Sequence, residues 1–247
     1  MTENRFIDQN EIQQRCAAFD ESYPRILERL ERAAERSGRK ASDIILLAAT
    51  KTQPAPVINH AIAAGITHIG ENRVQEYLSR YGDLRLEGVA RHFIGHLQTN
   101  KVKSIVDKVD MIESVDSVHL AQAIGRECRR LHTVMPVLIE VNIGNEANKS
   151  GVSPDELVET VGQIAQIEGV AVQGLMAIPP ICDTEREIRH YFEQMRQLFI
   201  DIGAEKIDNS NMVYLSMGMS GDFDAAIESG ANLVRLGTAL FGRRLYV

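Results

Sequence analysis

Short apolar runs rich in β-branched residues alternate along this chain with amphipathic segments, and that alternation limits its fold more than any other feature. The runs fall at 44–50, 66–70, 91–95, 111–114, 136–142, 170–176, 212–216 and 233–236. Between them, segments such as 55–64, 71–81, 118–131, 153–166, 183–202 and 222–229 repeat apolar residues at helical spacing. Strands alternating with helices imply right-handed βαβ units and a parallel sheet. Eight such units in about 200 residues is the count for a closed (β/α)8 TIM barrel. The runs are nearly all apolar, as strands buried on both faces should be. An open doubly wound sheet would carry a glycine-rich turn after its first strand. Here that strand ends Ala49-Thr50-Lys51-Thr52-Gln53-Pro54, without glycine.

Ahead of the first run, Ile12, Cys16, Phe19, Tyr23, Ile26, Leu30 and Ala33 form one helical stripe. Pro24 is expected to kink or split that extra N-terminal helix, and Ser37-Gly38 to end it. Residues 1–10 are polar and read as a flexible N-terminus, and 11–247 as a single barrel domain with no internal linker.

Composition narrows the function. The 247 residues are 44% hydrophobic and 25% charged, which suits a globular chain and excludes a disordered one. The longest apolar run, 44–49, is far below the ~20 residues of a membrane span. The N-terminus has no apolar secretion core, and Cys16, Cys128 and Cys182 show neither a disulfide framework nor a metal knuckle. A cytoplasmic protein is expected. Net charge is −7, with 27 basic residues interleaved among 34 acidic ones, so no nucleic-acid partner is expected. The basic stretch 101–108 reads as a solvated helix face.

Barrel chemistry gathers where strands run into their helices, at the C-terminal face. Lys51 ends the first strand there. An amine held at an apolar mouth loses solvation, which lowers its pKa and leaves neutral nitrogen to attack an aldehyde. Position alone also allows a solvated lysine. The last two strands end in Ser216-Met217-Gly218-Met219-Ser220-Gly221-Asp222 and Arg235-Leu236-Gly237-Thr238. Successive amides with nearby hydroxyls can cup a phosphate, and these two loops are the frequent phosphate site of barrels. Closure pairs the eighth strand with the first, setting lysine beside cup. That pairing suits a small phosphorylated aldehyde or ketone, such as pyridoxal 5′-phosphate (PLP) or a sugar phosphate. His92 and His96, four apart across a strand and loop, read as hydrogen-bonding groups, and no metal site is expected.

The stretches Leu46-Leu47-Ala48-Ala49-Thr50-Lys51-Thr52, Gly70-Glu71-Asn72-Arg73-Val74-Gln75-Glu76 and His92-Phe93-Ile94-Gly95-His96-Leu97-Gln98-Thr99-Asn100-Lys101 carry more. With Gly174-Leu175-Met176 and the two final loops, they resemble the pyridoxal phosphate homeostasis protein family, single-domain relatives of the alanine racemase N-terminal barrel. The likeness runs from about residue 22 to 244 and leaves the first twenty residues unexplained. It implies that Lys51 carries PLP as an aldimine, that Ser216, Gly237 and Thr238 lie at the phosphate, that Asn72 lies near the cofactor, and that Arg235 faces the pyridine nitrogen. A cation there keeps that nitrogen unprotonated and makes the ring a poorer electron sink.

In the racemase relatives a second acid/base group, a tyrosine from an added β domain, opposes the lysine. Here the chain ends at Val247, soon after the eighth strand, and of six tyrosines only Tyr214 lies in a strand near the site. The expectation is therefore a non-catalytic PLP-binding protein in PLP homeostasis, which buffers, protects and delivers the cofactor to apo-enzymes through transient contact, acting as a monomer. The alternatives are a PLP-dependent enzyme with weak amino-acid racemase or eliminase activity and, from barrel logic alone, a class I aldolase.

Overall fold

Eight parallel strands close on themselves in chain order, β1 through β8, in a computed structural model that describes residues 8–242. They are β1 (Ile45–Ala49), β2 (His68–Glu71), β3 (Ala90–Phe93), β4 (Met111–Val115), β5 (Met135–Val141), β6 (Val170–Ala177), β7 (Ser210–Ser216) and β8 (Leu233–Leu236). Each lies on one of the expected apolar runs. The closing pair sets Leu47 opposite Arg235 and Ala48 opposite Leu236.

Side chains alternate between the two faces of each strand. Ala48, Ile69, Phe93, Ile112, Leu215, Val234 and Leu236 face outward into the main core, under the helices. Leu47, Ala49, Ile94 and Leu233 face inward, joined by Met111, Leu138 and Met176. Gly174 lies where the register of β6 against β7 shifts. Its φ is +148°, and a Cβ there would sit 1.9 Å from the Tyr214 carbonyl oxygen, so this bulge excludes any side chain.

The helices are α1 (Gln9–Arg36), α2 (Ala55–Ala63), α3 (Val74–Arg80), α4 (Val102–Ile105), α5 (Val118–Arg130), α6 (Leu157–Ala165), α7 (Glu185–Ala204), α8 (Phe223–Glu228) and α9 (Thr238–Phe241). The single-turn α9 cannot cover the β8–β1 seam. The long α1 does so instead, packing on α2, α8 and α9 through buried Phe19, Ile26, Leu30, Ala33 and Ala34. Pro24 does not split α1. Burial of Phe19 before it and Ile26 after it keeps the helix continuous across the one missing amide bond. Of the stretch expected to be loose, residues 1–7 lie outside the described residues. Asp8 caps α1, accepting from the Asn10 amide, so the helix begins within that stretch. Around α4, Val102, Ile105 and Val106 are buried while Lys103 is exposed, so the basic stretch presents only one solvated side. Among the described residues no helix is long and apolar enough to cross a membrane.

Candidate functional site

Lys51 leaves β1 at the C-terminal mouth of the barrel, half-buried, directly after buried Thr50. Gly237 leaves β8 beside it: a Cβ on Gly237 would lie 3.3 Å from the Ala49 carbonyl oxygen and 3.5 Å from the Ala49 Cβ. The lysine turn and the last loop, far apart in sequence, are thus brought together across the β8–β1 seam.

Ser220 marks where the two final loops converge. Its Oγ accepts from the Gly237 amide at 3.3 Å and the Ala239 amide at 3.0 Å. These are amides at the opening of α9, suited to anionic oxygens. Thr238 lies between them and is exposed. Met219 N–H is held by Asp222 Oδ1 at 2.6 Å, which shapes the β7–α8 loop.

Ser216 and Arg235 sit deeper. Both are buried on the inward face, and Arg235 donates to Ser216 Oγ and, at 2.9 Å, to the Ala177 carbonyl. Ser216 in turn donates to Glu113 Oε2 at 2.6 Å, while Glu113 Oε1 meets His92 Nδ1 at 2.6 Å. Burial alone would raise the Glu113 carboxyl. The His92 hydrogen bond and charge, with help from Arg235 and Ser216, hold it below the usual carboxylate range. Burial pulls the Arg235 guanidinium down from its ordinary value. Burial pushes the carboxyl of Glu140, on β5, upward. The His68 and His92 rings meet edge to face at 5.6 Å. Burial, then the His92 charge, lowers the His68 imidazole pKa.

Asn72 follows β2. Its Oδ1 is buried and finds no hydrogen-bond partner among the described residues. Gly95 presses against it, since a Cβ there would sit 2.1 Å from the Asn72 carbonyl oxygen. A buried amide oxygen without a donor costs about 1–3 kcal/mol, so the position suits a ligand that supplies one.

The expected residues therefore separate into two levels. Lys51, Asn72, Gly237 and Thr238 ring the mouth, while Ser216 and Arg235 belong to a buried polar chain with Glu113 and His92. His92 and His96 both have the hydrogen-bonding role expected of them, buried His92 with Glu113 and exposed His96 with Ser150 Oγ at 3.4 Å. Sequence reasoning missed Glu113 and did not single out Ser220 within its loop. The available signal for Glu113 was an acid at an inward position of a strand otherwise apolar on that face.

Together these features define a class: a closed β/α barrel with a strand-end amine, adjacent backbone amides for an anion, and a buried arginine beneath. A family model described as alanine racemase, N-terminal domain matches residues 24–244. The pyridoxal phosphate homeostasis protein of Aquifex aeolicus is 44% identical over 226 residues, which cover 92% of this chain and 98% of that protein. The one from Pseudomonas aeruginosa is 37% identical over 227 residues, 92% of this chain and 96% of its own. PipY of Synechococcus elongatus, solved with PLP bound, aligns with a TM-score of 0.76 at 34% identity, covering 85% of this chain and all of PipY (100%). The chain belongs to the pyridoxal phosphate homeostasis protein family, on the alanine racemase N-terminal barrel.

Proposed function

We propose that this protein binds PLP, holds it through a covalent bond between the Lys51 amine and the PLP aldehyde carbon, and serves PLP homeostasis by buffering, protecting and delivering the cofactor. The observation that carries the reading is the meeting of the Lys51 turn with the Gly237 and Ala239 amides across the β8–β1 seam. PLP needs both an amine at one end and an anion cup at the other, and the PLP-bound PipY relative supports the match.

The residues present fit the group. Gly237, Thr238 and Ala239 would meet the phosphate, with the Ser220 hydroxyl moving aside from the amides it now occupies. Asn72 Oδ1 would gain a donor. Arg235 would face the ring nitrogen, with Ser216 and the Ala177 carbonyl fixing its guanidinium. Bound PLP supplies an electrophilic aldehyde and an electron-withdrawing ring.

The same geometry supports storage over turnover. Tyr214 packs inside the barrel with Leu47, Ile94 and Leu233, beneath the mouth. A guanidinium facing the ring nitrogen donates a hydrogen bond but keeps its proton, which leaves that nitrogen unprotonated and the ring a poorer electron sink. Holoprotein given a panel of amino acids should neither racemise nor eliminate them. Turnover present in the wild type and lost in Lys51→Ala would overturn the carrier reading in favour of a weak racemase or eliminase.

A further inference from the structure

The turn that carries Lys51 is strained and is held from two sides. Thr52 has φ of +65°, a left-handed backbone that a β-branched residue rarely adopts. Such strain persists only where the surroundings over-determine it.

Arg80, in the last turn of α3, does much of this. Its Nη1 donates to the Gln53 carbonyl at 2.9 Å and its Nη2 to the Thr50 carbonyl at 3.2 Å. One guanidinium thus spans the carbonyls on both sides of Lys51. Glu71, 1% exposed at the end of β2, fixes that guanidinium at 2.8 and 2.6 Å and also accepts from the Thr50 hydroxyl. Glu76 pairs with Arg80 Nη1 at 3.0 Å and accepts from the Thr52 amide. Burial alone would lower the Arg80 guanidinium, but Glu71 and then Glu76 raise it above its ordinary value.

From the other side comes Arg15 of α1. Its Nη1 donates to the Thr52 carbonyl at 3.2 Å and to Gln53 Oε1 at 3.0 Å, while Glu11 steadies Nη2 at 2.6 Å. Arg15 precedes residue 24, where the family model begins to match.

We infer that Arg80 and Arg15 are positioning residues: two guanidinium clamps that preset the Lys51 turn for bonding to PLP and set how long PLP stays. The inference rests on the reading that Lys51 bonds PLP. It gives the otherwise unexplained start of α1 a task, since this helix reaches the site as well as covering the seam.

The test uses full-length holoprotein, with excess phosphatase destroying any PLP that leaves. Two quantities are read: the release rate, and the fraction of bound PLP that borohydride fixes on the protein. A merely structural role would lower the melting temperature without moving that fraction. Arg15→Gln should release PLP roughly fivefold faster and Arg80→Lys about tenfold faster or more, both with a smaller fixed fraction at saturation. Glu76→Ala should behave likewise, and Glu76→Gln, which keeps an acceptor for the Thr52 amide, should be restored towards wild type. Folded Arg15→Gln and Arg80→Lys with wild-type release and wild-type fixed fraction would overturn the inference. If Arg80→Lys fails to fold, Arg15→Gln decides alone. Lys51→Ala separates the two layers: PLP still fixed in that variant removes the Lys51 reading, whereas PLP lost there but unaffected by the clamp variants removes only the clamps.

Discussion

Ser216 has two possible employments, and they predict different behaviour. Motif likeness places it at a phosphate. In the fold its hydroxyl donates to Glu113 and accepts from Arg235, on the inward face of β7. Ser216→Ala leaves both groups short of a partner in a buried setting, so stability should fall by about 1–3 kcal/mol in urea unfolding of the apoprotein. Unchanged apoprotein stability, with weakened PLP affinity alone, would return Ser216 to the phosphate. Glu113 carries the sharper pH signature. Its folded pKa lies below the ordinary value of 4.5, so its contribution is present in full above that pH and is lost as pH falls through the folded value. Glu113→Gln weakens the His92 and Ser216 hydrogen bonds and removes one of the acids facing buried Arg235, and should cost about 1–3 kcal/mol at neutral pH. The gap to wild type should shrink on acidification below the ordinary carboxylate value. A gap that stays constant across that range would show that Glu113 titrates alike in the folded and unfolded states.

At the scale of elements, β6 and β7 depend on one bulge. Gly174→Ala would force a methyl against the Tyr214 carbonyl and strain a positive φ, so the variant should unfold at markedly lower urea. A midpoint equal to wild type would mean that β6 can relax there at no cost. The strands were legible because a parallel barrel strand is buried on both faces, which leaves a short apolar run that few other elements imitate. What that rule hides is the inward face. His92, Glu113, Ser216 and Arg235 each stand on a different strand, and pairing them requires knowing which strands adjoin and at what register. Pro24 misled for a related reason. Local propensity favours a break, but α1 is held by packing on α2, α8 and α9, which sequence does not display. The Arg80 and Arg15 clamps were hidden too, because Arg15 reaches the Lys51 turn from 37 residues away.

For the whole molecule, closure is the event that makes a site. Lys51 and Gly237 lie far apart along the chain, and the β1–β8 pairing sets them side by side. The meeting of the lysine turn with the last loop could be read in the sequence because a strand-end lysine and glycine- and hydroxyl-rich loops stand at fixed places in a barrel. The buried charge chain beneath them arises from tertiary register. Every proposed role of this site follows from a covalent bond between residue 51 and PLP, which intact mass after borohydride reduction reads. Wild-type protein incubated with PLP should gain one reduced pyridoxyl phosphate that maps to Lys51, and Lys51→Ala, equally folded, should gain none. The same mass gain in both proteins would contradict the account.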